Sequence, residues 1–198
     1  MPRAKIVNLD MHAIATLRYI RASMDGAGNV AIPGSAGIAM GGIGLTAAAL
    51  SLTPDLAAYW LSIWLIAAPL AALVGGVLLA RSGSVATFIA TGTPGRKLVL
   101  GLLPSLFAGA VMTAVLWSAS YIDAMPGTWL LLYGCALVSA SISTTAIVAR
   151  MGLCFAGLGL VALISPVAFH IPLLALGFGG LHIVFGILIA RGVHGRES

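Results

Sequence analysis

The chain has 198 residues, of which 60% are hydrophobic and only 8% are charged, and its mean hydropathy is +1.10. Soluble domains carry about 25% charged residues, so this composition excludes a water-soluble globular protein. The net charge of +5 is not gathered into one basic face, which excludes direct binding of nucleic acid. We expect an all-α, polytopic membrane protein that contacts lipid and has no cofactor.

Residues 1–30 are predicted to form an amphipathic helix at the cytosolic surface of the membrane. Asn8 or Asp10 can cap a helix that ends near Met24. At 100° per residue its apolar and polar side chains separate, as in helices that lie in the interface. The candidate surface for lipid phosphates, or for docking of a cytosolic partner, consists of His12, Arg18, Tyr19 and Arg21.

Residues 31–191 are predicted to form a bundle of six transmembrane helices in three hairpins, followed by a cytosolic tail at 192–198. About 20 apolar residues cross a hydrocarbon core about 30 Å thick, and a helix satisfies its own backbone hydrogen bonds there. The expected spans are Pro33–Leu52, Leu56–Ala80, Leu98–Ala119, Thr128–Ala149, Met151–Phe169 and Pro172–Ala190. The expected outer turns are Thr53–Asp55, Tyr121–Gly127 and His170–Pro172.

The positive charges predict the orientation of this bundle. With the N-terminus inside, all ten Lys and Arg residues fall on the cytosolic side, whereas Asp55 and Asp123 fall outside. Both termini are therefore expected in the cytosol. Arg96 and Lys97, in the inner loop before the third span, extend the candidate surface for lipid or a partner.

His182 is the most informative side chain of the predicted bundle. On an unbroken helix it lies about 14 Å from the inner end of the sixth span, near the middle of the bilayer, where ionisable residues are functional candidates. Phe178 and Gly186 share its helix face, and small residues there let a neighbouring helix approach. Two interpretations fit, a structural hydrogen bond to a hydroxyl or a backbone carbonyl of a neighbouring helix and a ligand-contacting or proton-carrying role. The hydroxyl partners expected for the structural role are Ser139, Ser141, Ser143, Thr144 and Ser165.

Pro69 is the second candidate feature inside the membrane. Proline removes one helical hydrogen bond, frees the carbonyl of Leu65 and bends the second span. A kink of this kind could shape a path for a solute, although it is also compatible with ordinary packing of the bundle.

Catalysis and haem binding have weaker support. Rhomboid-type intramembrane proteases pair a histidine in the sixth span with a serine in a G-x-S-G setting, and the predicted fourth span contains no such setting. Ligation of haem by two histidines would need a second copy of His182 from a dimer. Cys135 and Cys154 are expected in opposite leaflets, where they neither pair nor form a metal site.

The string from Gly177 to Gly186, continuing to Ala190–Arg191, is the most distinctive part of a pattern that covers most of the chain. The other parts are Ala31–Gly34, Leu100–Pro104, Ala108–Val111 and Met151–Phe155. In these strings the chain resembles a group of six-helix bacterial inner-membrane proteins with no assigned activity. The resemblance implies the same location and a role beside a small winged-helix transcription regulator, and it carries over no catalytic residue.

Two functions are expected from these observations, and neither is enzymatic. The first is an interaction or regulatory subunit, whose N-terminal helix and inner loops bind a membrane or cytosolic protein or a second copy of the chain. The second is a small carrier for an apolar or weakly polar solute, with His182 and the Pro69 kink near the path. Loss of solute flux in His182→Ala would favour the carrier.

Overall fold

The computed structural model describes residues 16–17, 30–81 and 94–194. The described part has six helices that are long and apolar enough to cross a membrane, which supports a multi-pass membrane protein. These helices are α1 (Gly34–Leu52), α2 (Ala57–Leu79), α3 (Gly95–Ser118), α4 (Ile122–Ser143), α5 (Ala146–Ile164) and α6 (Val167–Gly192). The predicted surface residues His12, Arg18, Tyr19 and Arg21, and the tail after 194, lie outside the described residues.

The third, fourth, fifth and sixth helices begin three to six residues earlier than the sequence predicts, and in the fourth and the sixth the shift involves a proline. The fourth begins at Ile122 instead of Thr128, and the sixth begins at Val167 instead of Pro172. In both helices the proline that was interpreted as part of a turn lies close to the start, at Pro126 and Pro172. Backbone N–H groups in a first turn have no helical partner, so proline is tolerated there and its fixed φ favours the helix.

Because these helices begin earlier than predicted, the connections on either side of α5 lie at different residues from those predicted. The chain between α4 and α5 turns at Thr144 and Thr145, and Arg150 lies exposed in α5 instead of in a loop. The turn between α5 and α6 is formed by Ser165 and Pro166, both extended, because a residue before proline avoids the helical conformation. The predicted outer turn at His170 is therefore wrong: His170 is buried in α6, with Nε2 3.2 Å from the carbonyl oxygen of Ser165.

The helix α6 is not regular along its length. An α-helical turn at His170–Leu174 is followed by a π-helical segment at Ala175–Leu181, and α-helix resumes at His182–His194. The segment from His182 to Arg191, along which the depth of His182 is reckoned, is regular α-helix. Segments of π-helix widen the turn, shift the side chains that follow and occur often at functional sites, and this one ends at the residue before His182.

α1 and α6 are in backbone contact along a row of glycines. A Cβ atom added at Gly44 would lie 2.6 Å from the carbonyl oxygen of Phe178, and one added at Gly186 would lie 2.8 Å from the carbonyl oxygen of Gly34. No side chain fits between helices this close. The α1 side of this glycine seam consists of Gly34, Gly37, Gly41 and Gly44.

The helices do not close into a complete ring. The closest pairs are α4 with α5, α3 with α4, α1 with α2 and α1 with α6. By contrast, α2 and α3 make little contact although they are consecutive in the chain. A gap between these two helices therefore leads into the bundle from the side.

The end of α3 provides a test of backbone strain. Ser120 has a φ of 62°, its N–H bonds the carbonyl of Trp117, and the N–H of Tyr121 bonds the carbonyl of Leu116, which is the Schellman pattern. The left-handed conformation costs a residue with a Cβ about 1–2 kcal/mol, whereas the extra chain entropy of glycine costs about 0.4–1 kcal/mol. We expect Ser120→Gly to stabilise the protein by up to about 1 kcal/mol, seen as a higher melting temperature in detergent. A lower melting temperature would contradict this account.

Candidate functional site

Five of the six helices, all except α5, surround a cavity of about 310 Å³ near the middle of their lengths. Most of its wall consists of alanine, leucine, glycine and aromatic residues, and no charged residue occurs among the described residues that line it. Its size is at the lower end of the range of small-molecule sites, which are mostly apolar with a few placed polar groups. Apart from the indole N–H groups, the polar side chains of the wall are Ser105, Thr113, Tyr133 and His182.

Tyr133 and His182 form the central polar pair of this wall. The hydroxyl of Tyr133, on α4, lies 2.8 Å from Nε2 of His182, on α6. His182 is only 3% exposed. Either the tyrosine donates to an unprotonated Nε2 or a protonated Nε2 donates to the tyrosine oxygen, depending on the tautomer of the ring. In both cases the pair joins two helices at the depth of the cavity.

The sequence analysis did not identify Tyr133, and its expected partners for His182 are wrong. Because α4 ends at Ser143, the serines expected to reach His182 lie toward one end of that helix, and Ser141 bonds the carbonyl of Val138 instead. Tyr133 lies near the middle of α4. A comparison of depths among all hydroxyl side chains, tyrosine included, could have identified it.

Two buried polar atoms beside the cavity have no hydrogen-bond partner within the described ranges. They are Nδ1 of His182 and Nε1 of Trp64, and both side chains line the cavity. The carbonyls of Gly177 and Phe178 lie near the His182 ring, but neither is positioned to form a hydrogen bond with Nδ1. Unpaired polar atoms are costly in an apolar interior and uncommon in native structures, so these two are unusual features of the wall.

Aromatic rings hold the pair in place. The fully buried Phe155 of α5 packs edge-on against Tyr133, with ring centroids 4.9 Å apart, and against His182, at 5.2 Å. Phe178, one of the predicted site residues, stacks on His182 at 6.2 Å and also contacts Trp64 at 5.8 Å. Edge-on and tilted contacts at these distances are favourable, so the orientation of the pair is determined by its neighbours.

A second polar contact lies elsewhere in the wall. Nε1 of Trp129 donates to Oγ1 of Thr113 at 2.8 Å, and the threonine hydroxyl donates to the carbonyl of Gly109 at 2.7 Å. The hydroxyl of Ser105 has no hydrogen-bond partner in the described part of the chain. The cavity therefore presents hydrogen-bonding groups from α3 as well as from α4 and α6.

The structure does not bring the other predicted site residues into the wall. Pro69 is exposed on the outside of α2, although Leu65, whose carbonyl loses its helical partner at this proline, does line the cavity. Gly186 lies in the glycine seam instead. Arg96 and Lys97 are exposed in the first turns of α3. Only His182 and Phe178 of the predicted set meet at the cavity.

No group of three His, Cys, Asp or Glu side chains that could hold a metal ion occurs in the ranges 30–81 and 94–194. Cys135 and Cys154 are both exposed and unpaired. Within these ranges, the chemistry available at the cavity is hydrogen bonding and apolar contact.

No protein-family model matches the chain, and no curated protein or solved structure is significantly similar to it. What this site can bind is therefore argued from its own residues and geometry.

Proposed function

We propose that this protein is a bacterial inner-membrane protein that binds an apolar or weakly polar solute in the central cavity, as a small non-enzymatic carrier. The observation that supports this most strongly is an enclosed hydrogen-bonded pair, Tyr133 with His182, in the wall of an otherwise apolar cavity. Polar side chains at membrane depth are costly, and those that persist there usually have a function.

The composition of the wall indicates the charge of the solute. An ion would need an opposite charge or many oriented dipoles to leave water, and the wall has no charged side chain. Its hydrogen-bonding groups are few, and those of Ser105, Thr113 and Tyr133 are uncharged hydroxyls. A neutral molecule with a large apolar surface is the ligand that these groups suit.

The distribution of charge supports the proposed orientation, with three hairpins and both termini in the cytosol. If consecutive helices alternate in direction, Arg81, Arg96, Arg150 and Arg191 all fall toward one face of the bundle, and Asp55 and Asp123 toward the other. An excess of cations marks the cytosolic face.

A role as an interaction or regulatory subunit is our second proposal. Arg96 and Lys97 are exposed near the start of α3, where they are accessible to anionic lipid or to an acidic surface of a partner such as a winged-helix regulator. Replacing His182 with Ala separates the two proposals. Loss of ligand binding with normal folding supports the carrier, and unchanged capture of a partner by the same variant supports the regulatory role.

A cavity-filling substitution tests the carrier proposal. A Cβ atom added at Gly109 meets nothing closer than 3.9 Å, and Gly109 lines the cavity, so Gly109→Phe should fold and occupy the ligand volume. We expect mass spectrometry of protein extracted from native membranes to find a copurifying small molecule in the wild type and at least a tenfold lower amount in Gly109→Phe.

The matched control is Gly157→Phe. Gly157 also has open space around its Cβ position, but it lies exposed on α5, outside the cavity wall. It should retain the copurifying molecule at the wild-type level. Equal amounts in all three proteins would show that the cavity is not the binding site.

A further inference from the structure

The wall of the cavity reaches the outside of the bundle between α2 and α3. Leu65 on α2 and Leu106 on α3 both line the cavity, yet they are 48% and 46% exposed. These exposures place the α2 and α3 side of the cavity at the surface of the described bundle. Because α2 and α3 make little contact and the residues of both helices that line the cavity are uncharged, the opening faces the hydrocarbon of the membrane.

An opening at this depth selects what can enter. A molecule must first dissolve in the bilayer, which excludes ions and strongly polar solutes because their transfer into hydrocarbon is costly. The aromatic rings of Trp64, Trp129 and Phe178 then offer flat surfaces inside. Flat rings pack against such surfaces through offset or edge-on contacts, so a ring compound fits this interior better than a flexible chain.

The Tyr133 and His182 pair leaves hydrogen-bonding capacity unused at the Tyr133 hydroxyl, in addition to the unpaired Nδ1 of His182. When the tyrosine donates to Nε2, its oxygen can still accept a hydrogen bond. When Nε2 donates to the tyrosine, the tyrosine hydroxyl can still donate one. Both side chains line the cavity, so a hydroxyl group on a bound molecule, which can both donate and accept a hydrogen bond, is the complement of this pair in either tautomer.

We propose that the ligand is a neutral, lipid-dissolved ring compound carrying an oxygen function, which enters between α2 and α3 and hydrogen-bonds Tyr133. This proposal rests on the proposed function, since it names the class of solute for the same cavity. The ring provides the apolar contact, and the oxygen provides the selectivity.

The experiment compares two probes that differ by one oxygen, 2-naphthol and naphthalene. Purified protein in lipid nanodiscs is equilibrated with each probe, and the amount bound by empty nanodiscs is subtracted. The binding constant is calculated from the probe concentration in the lipid, so that the different solubilities of the two probes in the bilayer do not affect the comparison. We expect wild-type protein to bind 2-naphthol about fivefold more tightly than naphthalene, as one net hydrogen bond predicts. In Tyr133→Phe this ratio should fall to about one while naphthalene binding is retained.

The naphthalene measurement shows in each variant whether the cavity is still intact. Equal binding of the two probes in the wild type would overturn the proposed ligand class, and an unchanged ratio in Tyr133→Phe would overturn its recognition by Tyr133. Both results would leave the cavity as a binding site. Failure of both probes to bind wild-type protein, or binding unaffected by Gly109→Phe, would overturn the cavity itself and the proposed function with it.

A loss of naphthalene binding in Tyr133→Phe would mean that the substitution had disturbed the cavity. In that case His182→Phe, which removes the other member of the pair and keeps a ring, serves as the second variant. It leaves Tyr133 with both capacities free, so the preference for 2-naphthol should persist or increase. Loss of the preference in His182→Phe with naphthalene still bound would contradict recognition by Tyr133.

Discussion

Replacing Gly44 with leucine should strongly destabilise this bundle. A Cβ atom there would lie 2.6 Å from the carbonyl oxygen of Phe178 and 3.0 Å from the amide nitrogen of Gly179. These are backbone atoms, which cannot rotate away as the end of a side chain can, so α1 and α6 must separate. We expect a loss of about 3–5 kcal/mol in the free energy of unfolding, measured by titration with SDS in mixed micelles.

The control for this prediction is Gly42→Leu, two residues earlier in α1. A Cβ atom at Gly42 meets nothing within 4 Å, and Gly42 is exposed. The substitution adds the same side chain to the same helix, so propensity and hydrophobicity are matched. We expect its free energy of unfolding to lie within about 0.5 kcal/mol of the wild type. A similar loss in both variants would show that the glycine seam does not depend on backbone contact.

The second large effect is expected for Phe155→Ala. Phe155 is fully buried and contacts Tyr133, Phe178 and His182 with ring centroids 4.9, 5.4 and 5.2 Å away. In a membrane the unfolded helices remain in lipid, so the hydrophobic transfer contribution is small and the cost comes from lost packing and the new void. We expect a destabilisation of about 2–4 kcal/mol, together with weaker binding of 2-naphthol because the pair is no longer held in place.

Phe107→Ala is the matched control. Phe107 is 69% exposed on α3, where it faces outward, and truncation exchanges one lipid contact for another. Its effect on the free energy of unfolding should be below about 0.5 kcal/mol. Were Phe107→Ala to cost as much as Phe155→Ala, packing around the pair would not explain the loss.

The sequence predicted the number of apolar helices correctly, and it located their ends less well. Proline was treated as a signal for a turn at Pro126 and Pro172, whereas each occupies the beginning of a helix. Proline is favourable both in a turn and in the first turn of a helix, because its ring restricts φ in the same way at both positions. The shift moved the serines of α4 away from His182, and the expected hydrogen-bond partners were therefore wrong.

Sequence reasoning recognised two residues of the candidate site, both of them on α6. His182 was identified because an ionisable side chain in the middle of an apolar span is rare, and Phe178 followed from its spacing on the same helix. Tyr133 was missed because the partners considered on its helix were serines and not the tyrosine. Phe155 was missed because nothing in the sequence of α5 marks it as a residue that contacts the pair.

By itself, the sequence determined the membrane class of this protein, its six apolar helices and the position of one buried histidine. Hydropathy and helix length are local properties of the chain, and they decide directly whether a segment can cross a bilayer. Only the tertiary structure decided that Tyr133 meets His182, that α1 and α6 touch through their backbones, and that α2 and α3 stand apart around a cavity. These are relations between helices distant in the chain. They depend on how side chains of different size fit together, which no single stretch of sequence specifies.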